Sequence, residues 1–99
     1  MSNSFSQLNK AFDSRIRLGI MSLLSVNEKV EFSILKETLE LTDGNLASHI
    51  SALEKLQYIE VTKQFIGKKP NTSYMLTEVG RKAFNKHLDA LESLIKARK

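Results

Sequence analysis

The chain has 99 residues, no cysteine, and 15 basic against 11 acidic side chains, a formal net charge of +4. That length holds one domain, and a fold of this size buries only about 60 to 70% of its unfolded surface, so burial against a partner subunit would add stability. The lack of cysteine excludes disulfides, thiolate metal sites and thiol redox switching; no apolar run approaches the roughly 18 to 20 residues of a membrane span, and Met1 to Gln7 lacks the basic and apolar blocks of a signal peptide, so a cytoplasmic location is expected.

Phe5, Leu8, Phe12, Ile16, Ile20 and Leu23 recur at spacings of three and four, which predicts one long first helix. Gly19 interrupts it at a cost of about 1 kcal/mol relative to alanine, so another element is expected to pack closely there. Asn27 and Glu28 form a turn, Val30 to Phe32 a one-bridge strand, and Ser33 is placed to cap a two-turn helix carrying Ile34, Leu35 and Leu39.

Leu41, Thr42, Asp43 and Gly44 combine a capping side chain with a residue free of Cβ clashes, so a tight turn into a new helix is expected there. That helix buries Leu46, Ile50 and Leu53, with Ala47 letting its predecessor cross closely. Its polar side holds Asn45, Ser48, Ser51, Ala52 and Lys55, with His49 on the flank. The face is small, hydrogen-bonding and nearly free of acid, because Glu54 lies on the Ala47 side. Such a surface suits approach to a major-groove wall better than it suits mere solubility, which favours Glu and Lys pairs.

Tyr58 to Phe65 and Thr72 to Leu76 read as two strands joined by a loop containing Gly67, Lys68, Lys69 and Pro70. Ile59 and Val61 share a face with Tyr74 and Leu76. From Val61 to Leu76 the hairpin has no acid, and Lys63, Lys68 and Lys69 are its charges there, which matches phosphate. Charge is divided along the chain: residues 1–60 carry 6 basic and 8 acidic side chains, residues 61–99 carry 9 and 3. Thr77 caps a final helix with Glu78 in its first turn and Lys96, Arg98 and Lys99 at its end. Phe84, Leu88, Leu91 and Ile95, widened by Leu94, form a heptad-like seam longer than so small a core needs. A homodimer through the terminal helices is therefore expected, with Phe5, Leu8, Phe12, Phe84, Leu88, Leu91, Leu94 and Ile95 at its interface.

The chain from Ser14 to Leu91 resembles the small stand-alone winged-helix transcriptional regulators related to the MarR and ArsR groups. The resemblance rests on Ser14 to Leu18, Phe32 and Leu35, Leu41 to Ile50, and Leu53, Glu54, Tyr58 and Ile59. It continues through Gly67 to Pro70 and Tyr74, Leu76, Thr77, Gly80 and Arg81. It implies a mainly α winged helix-turn-helix: a three-helix core, a two-stranded wing, a long C-terminal helix over residues 77–99, dimerisation and sequence-specific binding of double-stranded DNA. The corresponding contacts fall on Asn45, Ser48, His49, Ala52 and Lys55 in the recognition helix and on Lys68, Lys69 and Thr72 in the wing. Lys63 and Ser33 complete the candidate DNA surface. Ala47 and Ser48 stand where relatives often carry a base-reading arginine or glutamine, which leaves room for readout through DNA shape.

No cofactor or metal is expected, since His49 and His87 are the only histidines and no thiol accompanies them. No nucleophile elbow, phosphate loop or paired metal-ligand spacing marks an enzyme. The competing readings are a winged helix used to bind another protein, and a regulator with a small-molecule effector that the sequence does not identify.

Overall fold

The single first helix expected from Phe5 to Leu23 is divided in the computed structural model, which describes residues 4–96. A one-turn helix α1 (Ser4–Gln7), a 3-10 helix (Lys10–Phe12) and helix α2 (Arg15–Val26) follow one another. The breaks fall at two side chains that compete with the helix for backbone donors. Asn9 Oδ1 accepts from the Ala11 N–H at 2.8 Å and Ser14 Oγ from the Arg17 N–H at 3.3 Å, each acting as an N-cap. The apolar period survives the breaks because each piece still turns a side chain inward, Phe12 from the 3-10 helix and Ile20, Met21 and Leu24 from α2. Gly19 meets the expected close approach: a Cβ there would lie 2.7 Å from a Leu39 methyl.

Strand β1 (Val30–Glu31), helix α3 (Phe32–Leu39) and helix α4 (Asp43–Lys55) come next. Ser33 does not cap α3. The helix starts two residues earlier than such a cap would place it, with Glu31 at the N-cap and no side-chain cap bond, which leaves Ser33 exposed in the first turn. The turn into α4 is also built differently from expectation. Glu40, not Gly44, takes the left-handed conformation (φ 54°). The Glu40 N–H bonds the Glu37 carbonyl and the Leu41 N–H bonds the Lys36 carbonyl, the paired pattern that ends a helix on a left-handed residue. Thr42 Oγ1 then accepts from the Asn45 N–H at 3.2 Å and opens α4, while Lys36 Nζ reaches Asp43 Oδ1 at 2.8 Å across the turn.

Helix α4 ends by the same device. Gln57 is left-handed (φ 65°), its N–H bonds the Glu54 carbonyl, and the Tyr58 N–H bonds the Leu53 carbonyl. Strands β2 (Ile59–Ile66) and β3 (Lys69–Leu76) form the hairpin, and helix α5 (Glu78–Lys96) closes the fold. The sheet has three strands, the two of the wing and the short β1 expected at Val30, in the order β1-β3-β2 and all antiparallel, because Val30 and Glu31 pair with Tyr74 and Ser73. The strands run closer to the tip than expected. Pro70 pairs with Phe65 inside the ladder, beyond the end of β1, where the missing N–H faces no third strand.

Thr77 Oγ1 caps α5 by accepting from the Gly80 N–H at 2.8 Å and donates to the Gln57 carbonyl at 2.6 Å, which ties the start of α5 to the end of α4. Arg98 and Lys99, expected at the far end of this helix, lie outside the described residues. The core joins Phe12, Ile20, Met21, Leu24, Leu35, Leu46, Ile50, Leu53, Ile59, Leu76 and Phe84, each large side chain contributing about 1.5 to 3 kcal/mol on burial.

Candidate nucleic-acid interface

Helix α4 turns Leu46, Ile50 and Leu53 into the core, which fixes what it shows outside. Asn45, Ser48, Ser51 and Lys55 are exposed, and His49 and Ala52 are half-buried on one flank. Ala47 is exposed as well. Glu54, the acid of this stretch, is half-buried and stands near Tyr74. Burial, and secondarily the Glu54 charge, push the Tyr74 hydroxyl above its ordinary pKa. The first turn of α4 offers backbone N–H groups at the positive end of the helix dipole.

Gly44 belongs to this face. A Cβ there would meet nothing within 4 Å, and its φ is not in the left-handed region, so neither packing nor backbone geometry requires glycine. Gly44→Ala is expected to stabilise the domain by about 0.5 to 1 kcal/mol through helix propensity while weakening DNA binding by placing a methyl group on the contact surface. Thermal unfolding and duplex titration check the two halves; binding that rises with stability would put Gly44 off the contact surface.

The wing turns in two residues, Gly67 and Lys68, with Gly67 at φ +66°, a conformation glycine adopts without strain. Lys63 pairs with Thr72, and Ile66 with Lys69. From Val61 to Thr77 there is no acidic residue, and among the described residues Lys63, Lys68 and Lys69 form no ion pair. At the base of the wing an open groove of about 470 Å³ runs beside the start of α3, lined by Ser33, Lys63, Asn71 and Thr72 together with Glu31. The acid in it is occupied, since Asn71 Nδ2 donates to Glu31 Oε1 at 2.8 Å. Ser33, Lys63 and Thr72, far apart in sequence, therefore share one groove, whereas Lys68 and Lys69 lie at the tip. Phe65 (73% exposed) and Ile66 (58%) flank that tip.

Two of the residues expected at a dimer interface are in the protomer's own core. Phe12 is 1% exposed and Phe84 2%, packed edge-on with ring centroids 5.4 Å apart. Phe12 also meets Tyr58 at 5.6 Å and His87 at 5.2 Å. Leu8 is half-buried. Phe5 and, on α5, Leu88, Leu91, Leu94 and Ile95 are exposed. The α5 seam is thus continuous in sequence but divided in use: its first part covers the core, and the rest extends past it.

His87 is buried, its Nδ1 accepting from the Asn9 N–H at 3.0 Å, while Asn9 Nδ2 donates to the Tyr58 hydroxyl. It fastens the N-terminal segment to α5. His49 has a different neighbour, Arg17, whose Nε donates to His49 Nδ1 at 3.1 Å. No local signal in the sequence reveals a partner 32 positions away. Among the described residues, no three His, Asp or Glu side chains converge as metal ligands, and no helix is long and apolar enough to cross a membrane.

A helix with an acid-poor outer face, preceded by a capped turn and followed by a lysine-tipped hairpin on a helical core, defines a winged helix-turn-helix. The chain belongs to the winged helix DNA-binding domain family, whose model matches residues 16–95. It is 39% identical over 87 residues to an uncharacterized protein of Methanocaldococcus jannaschii, covering 88% of this chain and 95% of that one. Its structure is similar to a transcriptional regulator homologue from Pyrococcus horikoshii, with 33% identity, a TM-score of 0.77, and coverage of 92% and 95% of the two chains. It is also similar to ytfH of Salmonella typhimurium, with 25% identity, a TM-score of 0.72 and coverage of 88% and 76%. The protein is a DNA-binding regulator of this winged-helix type.

Proposed function

We propose that the chain is a homodimeric transcriptional regulator that binds specific sequences of double-stranded DNA, each α4 entering a major groove and each wing lying on the adjacent backbone or minor groove. The observation that carries this reading is the coincidence of an acid-poor, hydrogen-bonding face on α4 with three unpaired wing lysines in a stretch free of acid. Asn45, Ser48, His49, Ala52 and Lys55 meet the groove. Ser33, Lys63, Lys68, Lys69 and Thr72 meet phosphate. These contacts give the backbone term its salt dependence and leave sequence choice to α4.

The dimer forms through the exposed end of α5, Leu88, Leu91, Leu94 and Ile95, with Phe5 beside it. A two-fold axis then sets half-site separation at about one helical turn, 34 to 36 Å. A protein-binding use of the same surface is disfavoured by its charge, because duplex phosphate complements unpaired lysines continuously along the wing.

Selecting bound fragments from a random duplex pool tests the reading, with an enriched two-fold site as the expected result. On the selected duplex and on a random one alike, Lys69→Glu is expected to weaken binding by about tenfold and lower the slope of log affinity against log salt by about one. A wild-type slope near zero would remove the phosphate argument.

A further inference from the structure

Arg17 lies in the first turn of α2, and His49 stands on the flank of α4 between the buried stripe and the outer face. The bond from Arg17 Nε to His49 Nδ1, 3.1 Å, joins them. A ring nitrogen that accepts a hydrogen bond carries no proton, so the single proton of the neutral imidazole sits on Nε2.

We propose that Arg17 is a positioning residue that occupies Nδ1 of His49 and leaves Nε2–H as the donor of the ring, and that this donor reads the N7 acceptor of a purine in the major groove. The inference deepens the DNA-binding reading above and rests on it. Three features favour a base over a phosphate as the target. A neutral ring lacks the charge that makes phosphate contacts strong. A lone directional donor matches a lone acceptor, and N7 is the major-groove acceptor that both purines share. Asn45 and Ala52, one turn away on either side of His49, are short enough to let the ring approach a base edge. The contact would thus take a purine N7 without choosing between guanine and adenine. It supplies a readout where the helix has no arginine or glutamine of its own.

Two measurements on the full chain test this. In protein labelled with nitrogen-15 histidine, long-range proton–nitrogen correlation at neutral pH reports which ring nitrogen is protonated, with His49→Asn assigning the signal against His87. The wild type is expected to show an unprotonated Nδ1 at His49, and Arg17→Met, which keeps the apolar stem, to show a mixture of tautomers.

In titrations of the pool-selected duplex, replacing purines one at a time by their 7-deaza analogues is expected to reveal one position costing the wild type about fivefold. His49→Ala should lose both that sensitivity and the purine preference there. Arg17→Met should reduce the sensitivity while leaving the salt slope unchanged. A proton on Nδ1 in the wild type overturns the proposal. So does a 7-deaza profile identical in wild type and His49→Ala, and so does an Arg17→Met variant that keeps the wild-type tautomer and lowers the salt slope by about one, which would make Arg17 a phosphate contact. A chain that selects no duplex fails at the DNA-binding reading instead, and the tautomer measurement still reports on Arg17 by itself.

Discussion

Alanine at Gly80 is expected to lower the melting temperature by about 12 °C or more, from about 3 kcal/mol of overpacking in a domain that loses about 4 to 8 °C per kcal/mol. Gly80 is buried in the first turn of α5. A Cβ there would lie 1.9 Å from the Tyr58 carbonyl oxygen, with the Tyr58 carbonyl carbon and Cα at 2.7 and 2.8 Å. All three are backbone atoms, and the same carbonyl accepts the Thr77 N–H at 3.0 Å. Neither strand β2 nor helix α5 can retreat without breaking the junction that Thr77 makes with Gln57.

Gly19→Ala is the control. Its Cβ would meet the end of the Leu39 side chain, which can rotate aside, and the helix propensity of alanine offsets much of the contact by about 1 kcal/mol. Thermal unfolding at a fixed protein concentration compares the two. Equal small shifts would show that the α5 junction yields, contrary to this account.

Leu88→Glu combined with Leu91→Glu is expected to leave the protomer folded yet make it monomeric, and to weaken binding to a two-fold site by about 10² to 10⁴, the range that linking two modules supplies. Each of these side chains is 41% exposed in the protomer, so a carboxylate there reaches water as long as no partner covers it. In an isologous dimer every substitution occurs twice across the axis, and four carboxylates would face one another along the seam. Light scattering measures the mass, circular dichroism the helix content, and titration of the selected site the affinity. A wild type that is monomeric at micromolar concentration, or a variant that keeps full affinity, would remove α5 from the assembly. Helix α4 and the wing are untouched by the change, so binding to an isolated half-site should persist.

Much of the architecture was legible because local chemistry and tertiary packing agree. Leu46, Ile50 and Leu53 recur at helical spacing and do form the inner stripe of α4; Ile59, Val61, Tyr74 and Leu76 alternate and do share a face of the hairpin. Thr42 and Thr77 cap the helices that follow them. The failures occur where two local signals compete. Asn9 and Ser14 stop a helix that the apolar period would have continued. Glu40, not Gly44, takes the left-handed φ of the turn.

The sequence by itself determined the order of the elements, the apolar side of each, and the acid-free run of lysines in the wing, since these depend on residue type and spacing alone. Only the tertiary structure decided which apolar residues the protomer keeps. Phe12 and Phe84 belong to the same periodic series as Phe5 and Leu88, and only the path of the chain shows that the first two meet in the core while the others remain exposed. Tertiary structure likewise brought Arg17 to His49 and Ser33 to Lys63 and Thr72. Periodicity says which side of a helix is apolar; what that side meets depends on the crossing of elements distant in sequence.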